Sequence, residues 1–210
     1  GARIGVARAV YFGYSEHADA VVNAALDIMR ERGAIIVDPA DIPTAKALAD
    51  STTALRVMFY EMKADIAAYL AERGDPALQT LADLIAFNEA HADEEMPYFL
   101  QELFEDSQAK GPLTDPEYLE ILAENYRLSR QEGIDAVLDQ YGLDVLIAPT
   151  ASPPFVTDLI NGNRTLGGSS TPAALAGYPL LSMPAGYTPW GLPVNLTLMG
   201  RAWSEPTLIR

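Results

Sequence analysis

One segment of the chain has residue types that could support nucleophilic catalysis: Gly-Gly-Ser-Ser at positions 167–170. A glycine-rich turn can expose a serine hydroxyl beside backbone N–H donors, which is the arrangement that acyl transfer needs. The three lysines of the chain lie elsewhere, in a region with a helical pattern, and no residue is an obvious base for Ser169 or Ser170. We therefore interpret the segment as a plain turn and assign no catalytic residue to it.

The two histidines, His17 and His91, are the other candidates for chemistry. His91 lies among carboxylates, but the segment lacks the fixed ligand offsets of a motif such as H-E-x-x-H. Gly5 and Gly13 do not have the spacing of a nucleotide-binding fingerprint, and no Walker-type lysine follows them. We expect both histidines on helix surfaces, no metal site and no cofactor.

Charge and composition restrict the partners of the chain. It has 29 Asp+Glu against 14 Lys+Arg, a net charge of -15, which repels phosphate backbones and anionic lipid headgroups. We therefore expect neither nucleic acid nor a membrane surface as a partner. The absence of cysteine excludes disulfides, thiolate zinc sites and a Cys nucleophile. The chain begins without an initiator Met or a targeting segment, so we expect its start to be a cut, with the cytoplasm as the default compartment.

The elements that must position any site follow an α/β pattern. Residues 3–7 and 34–37 resemble two short strands around a helix that Ser15 begins and Gly33 ends, and such a unit places its strands parallel. Apolar strands follow at 143–148, 179–183 and 194–199, of the kind that is buried on both faces of a sheet. The pattern predicts a mixed, largely parallel sheet flanked by helices.

Between about residues 50 and 140 the hydrophobic pattern is helical throughout. It predicts helices near 53–72, 80–92, 96–108 and 114–140. Thr114-Asp115-Pro116-Glu117 has the spacing of a capping box, and Gly133 either allows a close helix contact or weakens the last helix. Because no linker is visible, we expect one domain over residues 1–210 with a helical insertion at about 50–140.

Three segments near the end of the chain, together with three in the helical region, carry a resemblance to a known family. The C-terminal ones are Asp144-Val-Leu-Ile-Ala-Pro-Thr150, Ala174-Leu-Ala-Gly-Tyr-Pro-Leu-Leu-Ser-Met-Pro-Ala-Gly186 and Gly191-Leu-Pro-Val-Asn-Leu-Thr-Leu-Met-Gly200. Their order closely resembles the C-terminal half of the amidase-signature enzymes. The segments Tyr60-Glu-Met-Lys, Asp83-Leu-Ile-Ala-Phe-Asn and Met96-Pro-Tyr-Phe-Leu-Gln-Glu-Leu-Phe resemble the amidase or peptide-amidase branch. Asn195 and Thr197 depart from the usual pattern, which bears on the subfamily.

The resemblance implies hydrolysis of linear carboxylic amides to an acid and ammonia or an amine. It also implies a Ser nucleophile, a second Ser in a cis peptide, a Lys base and a Gly-rich oxyanion loop, all in a signature region upstream of the part resembled here. None of these can be mapped onto this sequence. We therefore expect the non-catalytic, substrate-pocket half of an amidase, inactive alone and able to self-associate. The alternatives are part of the A-type component of a tRNA-dependent amidotransferase, or a non-catalytic binding module.

The candidate substrate-binding residues follow from where open α/β sheets bind ligands, which is beyond the carboxyl ends of strands. The strand 143–148 is followed by a long irregular stretch, and loops of that length are often functional. A helical insertion can in addition roof an active site. The candidates are Thr150, Ser152, Asp158, Asn161 and Asn163 from the strand end and the loop, and Tyr98, Phe99 and Gln101 from the helical region.

Overall fold

The computed structural model describes all residues from 1 to 210, and these form two compact units. The first unit comprises Gly1–Ser51 and Asn125–Arg210, and the second comprises Thr52–Glu124. The helical insertion expected at about 50–140 is therefore longer than the second unit, because the residues after Glu124 belong to the first. Hydrophobic periodicity continues through this point, so the pattern alone does not locate the boundary.

A five-stranded sheet organises the first unit. Its strands are β1 (Arg3–Val6), β2 (Ile35–Val37), β3 (Val145–Pro149), β4 (Leu180–Tyr187) and β5 (Pro193–Met199), in the order β2-β1-β3-β5-β4. β1 pairs in parallel with β2 and with β3, whereas β5 runs antiparallel to both β3 and β4. The mixed sheet of the α/β class is confirmed, with its parallel pairing concentrated in β2-β1-β3.

Both faces of the central strand β3 are buried, and successive residues alternate between two apolar clusters, as the period of a strand requires. Val145 and Ile147 pack in one cluster with residues of the helix α1, which spans Glu16–Glu31. Leu146 and Ala148 pack in the other, on the opposite face. The prediction of a strand covered on both faces is confirmed for β3.

The prediction for β4 is wrong in its burial. Residues 179–183 were expected to form a buried strand, but β4 is the edge of the sheet, and Leu180, Met183 and Tyr187 are 39%, 37% and 71% exposed. β4 pairs only with β5, so one row of its backbone groups has no neighbouring strand among residues 1–210. Hydropathy reports the apolar character of a strand but not how many neighbours it has. The expected self-association would use this edge, and it stays a prediction.

The remaining helices are more numerous and shorter than the four that the pattern predicts. They are α2 (Ala45–Asp50), α3 (Thr53–Arg73), α4 (Leu81–Ala90), α5 (Ala92–Glu95), α6 (Glu102–Gln108), α7 (Pro116–Tyr126), α8 (Asp135–Tyr141), α9 (Thr171–Ala176) and α10 (Glu205–Ile209). The helix expected at 96–108 exists only from Glu102 onward. None of these helices has the length and apolar content needed to cross a membrane.

The long helix expected at 114–140 is interrupted by a π-helical segment, Arg127–Ile134, between α7 and α8. Gly133 lies inside it with φ -106 and ψ -106, outside the helical region. A Cβ at this position would collide with the carbonyl oxygen of Leu128 in the same segment, so the glycine permits the non-helical backbone at which the long helix is interrupted. Such segments re-aim the helix that follows them.

The capping box predicted at residues 114–117 is also wrong. The Glu117 carboxylate pairs with Arg56 and accepts a hydrogen bond from the Tyr60 hydroxyl at 2.8 Å. The Glu117 backbone N–H donates instead to Asp115 Oδ1 at 3.0 Å. Long-range partners within the second unit thus take the side chain that the local motif would have used. The capping box that the structure contains joins Thr80 and Asp83, at the start of α4.

Candidate functional site

A cleft of about 460 Å³ lies at the carboxyl end of β3. It is lined by residues 150–155, by Thr165 and by residues 193–195, and none of these residues is charged. β5 is antiparallel to β3, so the amino end of β5 meets the carboxyl end of β3 at this point. The structure therefore brings Thr150 and Ser152 together in one cleft and adds Asn195 from β5.

Three hydroxyl groups form a hydrogen-bonded chain beside this cleft. The Thr197 hydroxyl donates to Thr150 Oγ1 at 2.8 Å, and Thr150 Oγ1 lies 3.2 Å from Ser182 Oγ. Asn195 Nδ2 donates to Ser182 Oγ at 3.1 Å. The sheet register brings the three hydroxyl groups together, because Thr197 is the pairing partner of both Ala148 in β3 and Ser182 in β4. Thr197 is 0% exposed, so this chain is anchored in the interior.

The backbone under the cleft is fixed by several further bonds. The Ser169 hydroxyl donates to the carbonyl oxygen of Pro149 at 2.8 Å, and the Ser169 N–H donates to that of Thr150 at 3.1 Å. The Tyr14 hydroxyl also donates to Pro149, at 3.4 Å. Ser169 is 0% exposed with its hydroxyl engaged, which agrees with a structural role for this serine.

Tyr14 remains a donor throughout the neutral pH range. Its burial, and to a smaller extent the negative charge of Asp19, raises the pKa of the Tyr14 phenol to about 12. Its ring also packs against Gly167, where an added Cβ would come within 2.6 Å of the ring. Tyr14 thus holds the start and the end of the long loop against the sheet.

The long loop after β3 extends away from the cleft, and its residues 153–166 are called the arm. Its base is closed by a bridge between Ala151 and Gly168 and by a hydrogen bond from the Ser152 N–H to the Gly167 carbonyl at 3.1 Å. The Ser152 hydroxyl accepts from the Leu166 N–H at 3.4 Å. Ser152 therefore lines the cleft while it also fastens the arm.

The tip of the arm holds the other loop candidates. One oxygen of the Asp158 carboxylate accepts from the backbone N–H groups of Ile160 and Asn161, each at 2.9 Å, and the other accepts from Asn161 Nδ2 at 3.0 Å. These bonds, with the Asn161 backbone N–H first, lower the pKa of Asp158. Asn163 is exposed, and its side chain makes no hydrogen bond within the chain. The contact of these residues with substrate stays a prediction.

The candidates of the second unit differ among themselves. Tyr98 and Phe99 are 88% and 85% exposed, whereas Gln101 is buried at 8%. The Gln101 amide accepts from Asn88 Nδ2 at 3.1 Å and donates to the Ile85 carbonyl at 3.3 Å, so it joins α4 to the start of α6. Both polar atoms of its side chain therefore form hydrogen bonds within the second unit. A substrate contact of Tyr98, Phe99 or Gln101 stays a prediction.

A second concavity, of about 520 Å³, lies in the second unit between α3 and α6. Its lining is mainly apolar, with Met58, Phe59 and Ile66 among its residues, and Glu61, Asp65 and Ser107 are its polar members. The Ser107 hydroxyl already donates to the Leu103 carbonyl at 2.7 Å. This groove offers apolar contact and no convergent set of donors, in contrast to the cleft at β3.

The histidines lie on helix surfaces, as expected. His17 in α1 is partly exposed, and its ring makes an edge contact with Trp190, with centroids 4.3 Å apart. His91 is exposed at the end of α4, stacks on Phe87 and has its Nδ1 2.8 Å from the Phe87 carbonyl oxygen. Neither ring lies in the cleft.

The sequence reasoning missed Ser182, Asn195 and Thr197 as possible site residues. Thr150 and Thr197 are 47 positions apart, and Thr150 and Ser182 are 32 apart, so no local motif joins them. A signal was nevertheless present, because Asn195 and Thr197 are the two positions at which the sequence departs from the amidase-signature pattern. At Asn195, where glycine is usual in that pattern, the departure adds a polar side chain to the lining of the cleft.

Comparison with known proteins places the chain in a family. The family model described as Amidase matches residues 1–209, and the chain belongs to the amidase family. A probable amidase of Arabidopsis thaliana is 30% identical over 185 residues, which are 86% of this chain and 32% of that protein. A glutamyl-tRNA(Gln) amidotransferase component of Methanosarcina barkeri is 42% identical over 73 residues, but these are 32% of this chain and 15% of that protein.

Solved structures extend the similarity to the whole chain. The native peptide amidase of Stenotrophomonas maltophilia is 39% identical with a TM-score of 0.87, covering 100% of this chain and 41% of that one. A peptide amidase in complex with the competitive inhibitor chymostatin is 38% identical with a TM-score of 0.88. The chain spans about a third of the length of the first curated relatives and about two fifths of the peptide amidase chains.

Proposed function

We propose that the chain is the substrate-side part of an amidase that hydrolyses carboxylic amides by acyl transfer to a serine. In this proposal the amide carbonyl carbon forms an ester with the serine, ammonia or an amine leaves, and water then releases the acid. The nucleophile, the second serine and the lysine belong to a part of the amidase domain outside residues 1–210. The chain contributes the cleft at β3 and the helical insertion.

One observation carries this proposal: the similarity to peptide amidases spans 100% of the chain, both units included, at 38–39% identity. The geometry supports it, because the cleft combines hydroxyl donors with the apolar surfaces of Pro153, Pro154 and Phe155. Such a surface can bind and orient an amide but supplies no base or nucleophile of its own. Since those relatives are named peptide amidases, the leading substrate class is a peptide amide.

The amidotransferase alternative is favoured by one fact, the 42% identity to the glutamyl-tRNA(Gln) amidotransferase component. That match covers 32% of this chain, whereas the peptide amidases match 100% of it. A non-catalytic binding module remains the alternative of another class. The three possibilities differ in whether ammonia is released, and to what acceptor it passes.

Ammonia release separates these possibilities. The full-length amidase of the proposal, incubated with peptide amides and simple amides, is expected to release ammonia without tRNA or ATP. Residues 1–210 alone are expected to release none, because their cleft lacks a nucleophile with a base. Ammonia released only when a tRNA-bound acceptor is present would favour the amidotransferase. Activity of residues 1–210 that Ser170→Ala abolishes would contradict the division of labour proposed here.

A further inference from the structure

The hydroxyl chain beside the cleft has one more proton than its internal hydrogen bonds use. Thr197, Thr150 and Ser182 each carry one hydroxyl proton, and Thr197 gives its proton to Thr150. Thr150 and Ser182 share a single hydrogen bond of 3.2 Å, which uses one of their two protons. Asn195 adds a donor to Ser182 and no acceptor. One hydroxyl proton of the Thr150–Ser182 pair therefore has no acceptor within the chain, whichever of the two donates to the other.

The surroundings specify what this proton can bind. Thr150 lines the cleft, and Ser182 lies on the exposed strand β4, so the pair is accessible from outside the sheet. No charged residue lines the cleft, and the net charge of the chain is -15. A cation would need several acceptors, whereas the printed bonds leave the pair a single lone pair, and an anion would meet no positive charge. A neutral oxygen with a free lone pair, such as a carbonyl oxygen, fits the donor best.

We propose that the Thr150–Ser182 hydroxyl pair binds a carbonyl oxygen of the substrate other than the one at the bond that is cleaved. The inference rests on the proposed function, in which the cleaved carbonyl lies against a nucleophile outside residues 1–210. The cleft at β3 then receives the next carbonyl along an acylated amino-acid amide. Thr197, held by the interior, orients Thr150 and acts as a positioning residue, and Asn195 does the same for Ser182.

A purely structural role for the same hydroxyls makes a different prediction. If they only joined β3, β5 and β4, removing one would lower the stability without distinguishing between ligands. A bound carbonyl makes the loss selective for ligands that carry it, because a hydroxyl that binds nothing else on the ligand can affect only that contact.

The test is a binding measurement by calorimetry on the full-length protein with two ligands. Both are methyl ketones in which CH₃ replaces the amide NH₂, so that neither is hydrolysed. One corresponds to N-acetyl-phenylalaninamide and has the second carbonyl, and the other corresponds to 3-phenylpropanamide and lacks it. Ser182→Ala and Thr150→Val are compared with Ser204→Ala, a matched hydroxyl loss at a residue whose Oγ donates to Arg201 O at 2.7 Å and lies outside the cleft.

We expect Ser182→Ala or Thr150→Val to weaken binding of the acetylated ketone about threefold to tenfold, the loss typical of one neutral hydrogen bond. Binding of the other ketone should be unchanged, and Ser204→Ala should change neither. A protein that hydrolyses no amide but still shows this selective loss would refute the proposed function and keep the inference. Equal weakening of both ketones, or no weakening by either variant, would overturn the inference.

Discussion

The end of β3 and the tip of the arm differ in what holds their polar side chains, although both follow the same strand. The Thr150 hydroxyl at the strand end is bonded to residues 32 and 47 positions away, on two other strands. At the tip, Asp158 is bonded to residues two and three positions away. The sheet therefore fixes the geometry of the strand end, where one hydroxyl proton of the Thr150–Ser182 pair has no acceptor within the chain. At the tip, the Asp158 carboxylate forms its hydrogen bonds within its own turn.

A position directly after a strand is therefore not sufficient to make a polar residue bind a ligand. The side chain must also have a donor or acceptor that no other residue uses, and the backbone must be fixed before the ligand binds. The Thr150–Ser182 pair meets both conditions. Asp158 differs from it, since its partners are local and three hydrogen bonds already engage its two oxygens, and its contact with substrate stays a prediction.

The largest expected effect contrasts two isoleucines, one from each region. Ile147 in β3 is 0% exposed and Ile160 at the tip is 92% exposed. Ile147→Ala should lower the free energy of unfolding by about 2–5 kcal/mol, because it leaves a cavity beneath the cleft. Ile160→Ala, the matched control, should change it by less than about 0.5 kcal/mol. Urea denaturation measures both, and similar losses for the two variants would remove the distinction between the regions.

An intermediate effect is expected at the base of the arm, where two adjacent glycines differ in their surroundings. A Cβ at Gly167 would lie 2.6 Å from the ring of Tyr14, whereas one at Gly168 would lie 3.4 Å from the Thr150 carbonyl oxygen. Gly167→Ala should cost about 1–3 kcal/mol, as overpacking does, and Gly168→Ala should cost much less. In a Tyr14→Ala background the cost of Gly167→Ala should fall. An unchanged cost would show that Tyr14 does not hold the arm.

The smallest effect concerns the response of the tip to pH. The folded-state pKa of Asp158 is lowered, so its stabilising bonds are fully present above the ordinary aspartate pKa of about 3.9 and are lost as the pH falls through the lowered value. The amide proton shifts of Ile160 and Asn161 should stay constant from neutral pH down to about pH 5. They should change only below the ordinary aspartate range, as NMR can follow.

Two controls accompany this titration. Asp158→Asn should abolish it, since the variant has no carboxylate at the tip. The amide proton of Thr150, which donates to the Asn195 carbonyl at 3.0 Å, should not respond over the same range, because its side-chain partners Thr197 and Ser182 do not ionise there. A tip that titrates at the ordinary aspartate pKa would mean that the turn is not formed in solution.

Much of the architecture is determined by signals that lie close together in the sequence. Ser15 accepts from the Ala18 N–H at 3.3 Å to begin α1, as its residue type and place before an amphipathic segment predicted. The apolar run of β3 predicted a strand buried on both faces, and Gly33 ends the α1 turn with φ 92. Each of these signals depends on residues within one or two turns of chain. The resemblance to amidases likewise depends on short segments in a fixed order.

Sheet order and register decided the rest, because they join residues that no local pattern relates. Only the pairing of Thr197 with both Ala148 and Ser182 places three hydroxyls in one chain. Only the position of β4 at the edge leaves its apolar residues exposed. Glu117 had a local pattern that suggested a helix cap, yet its side chain bonds to Tyr60, 57 positions away. The sequence alone determined which segments become strands and helices through short-range hydrogen bonding and periodicity. Which polar groups remain free to bind a ligand was decided by tertiary structure, since a side chain's capacity is known only once all of its neighbours are.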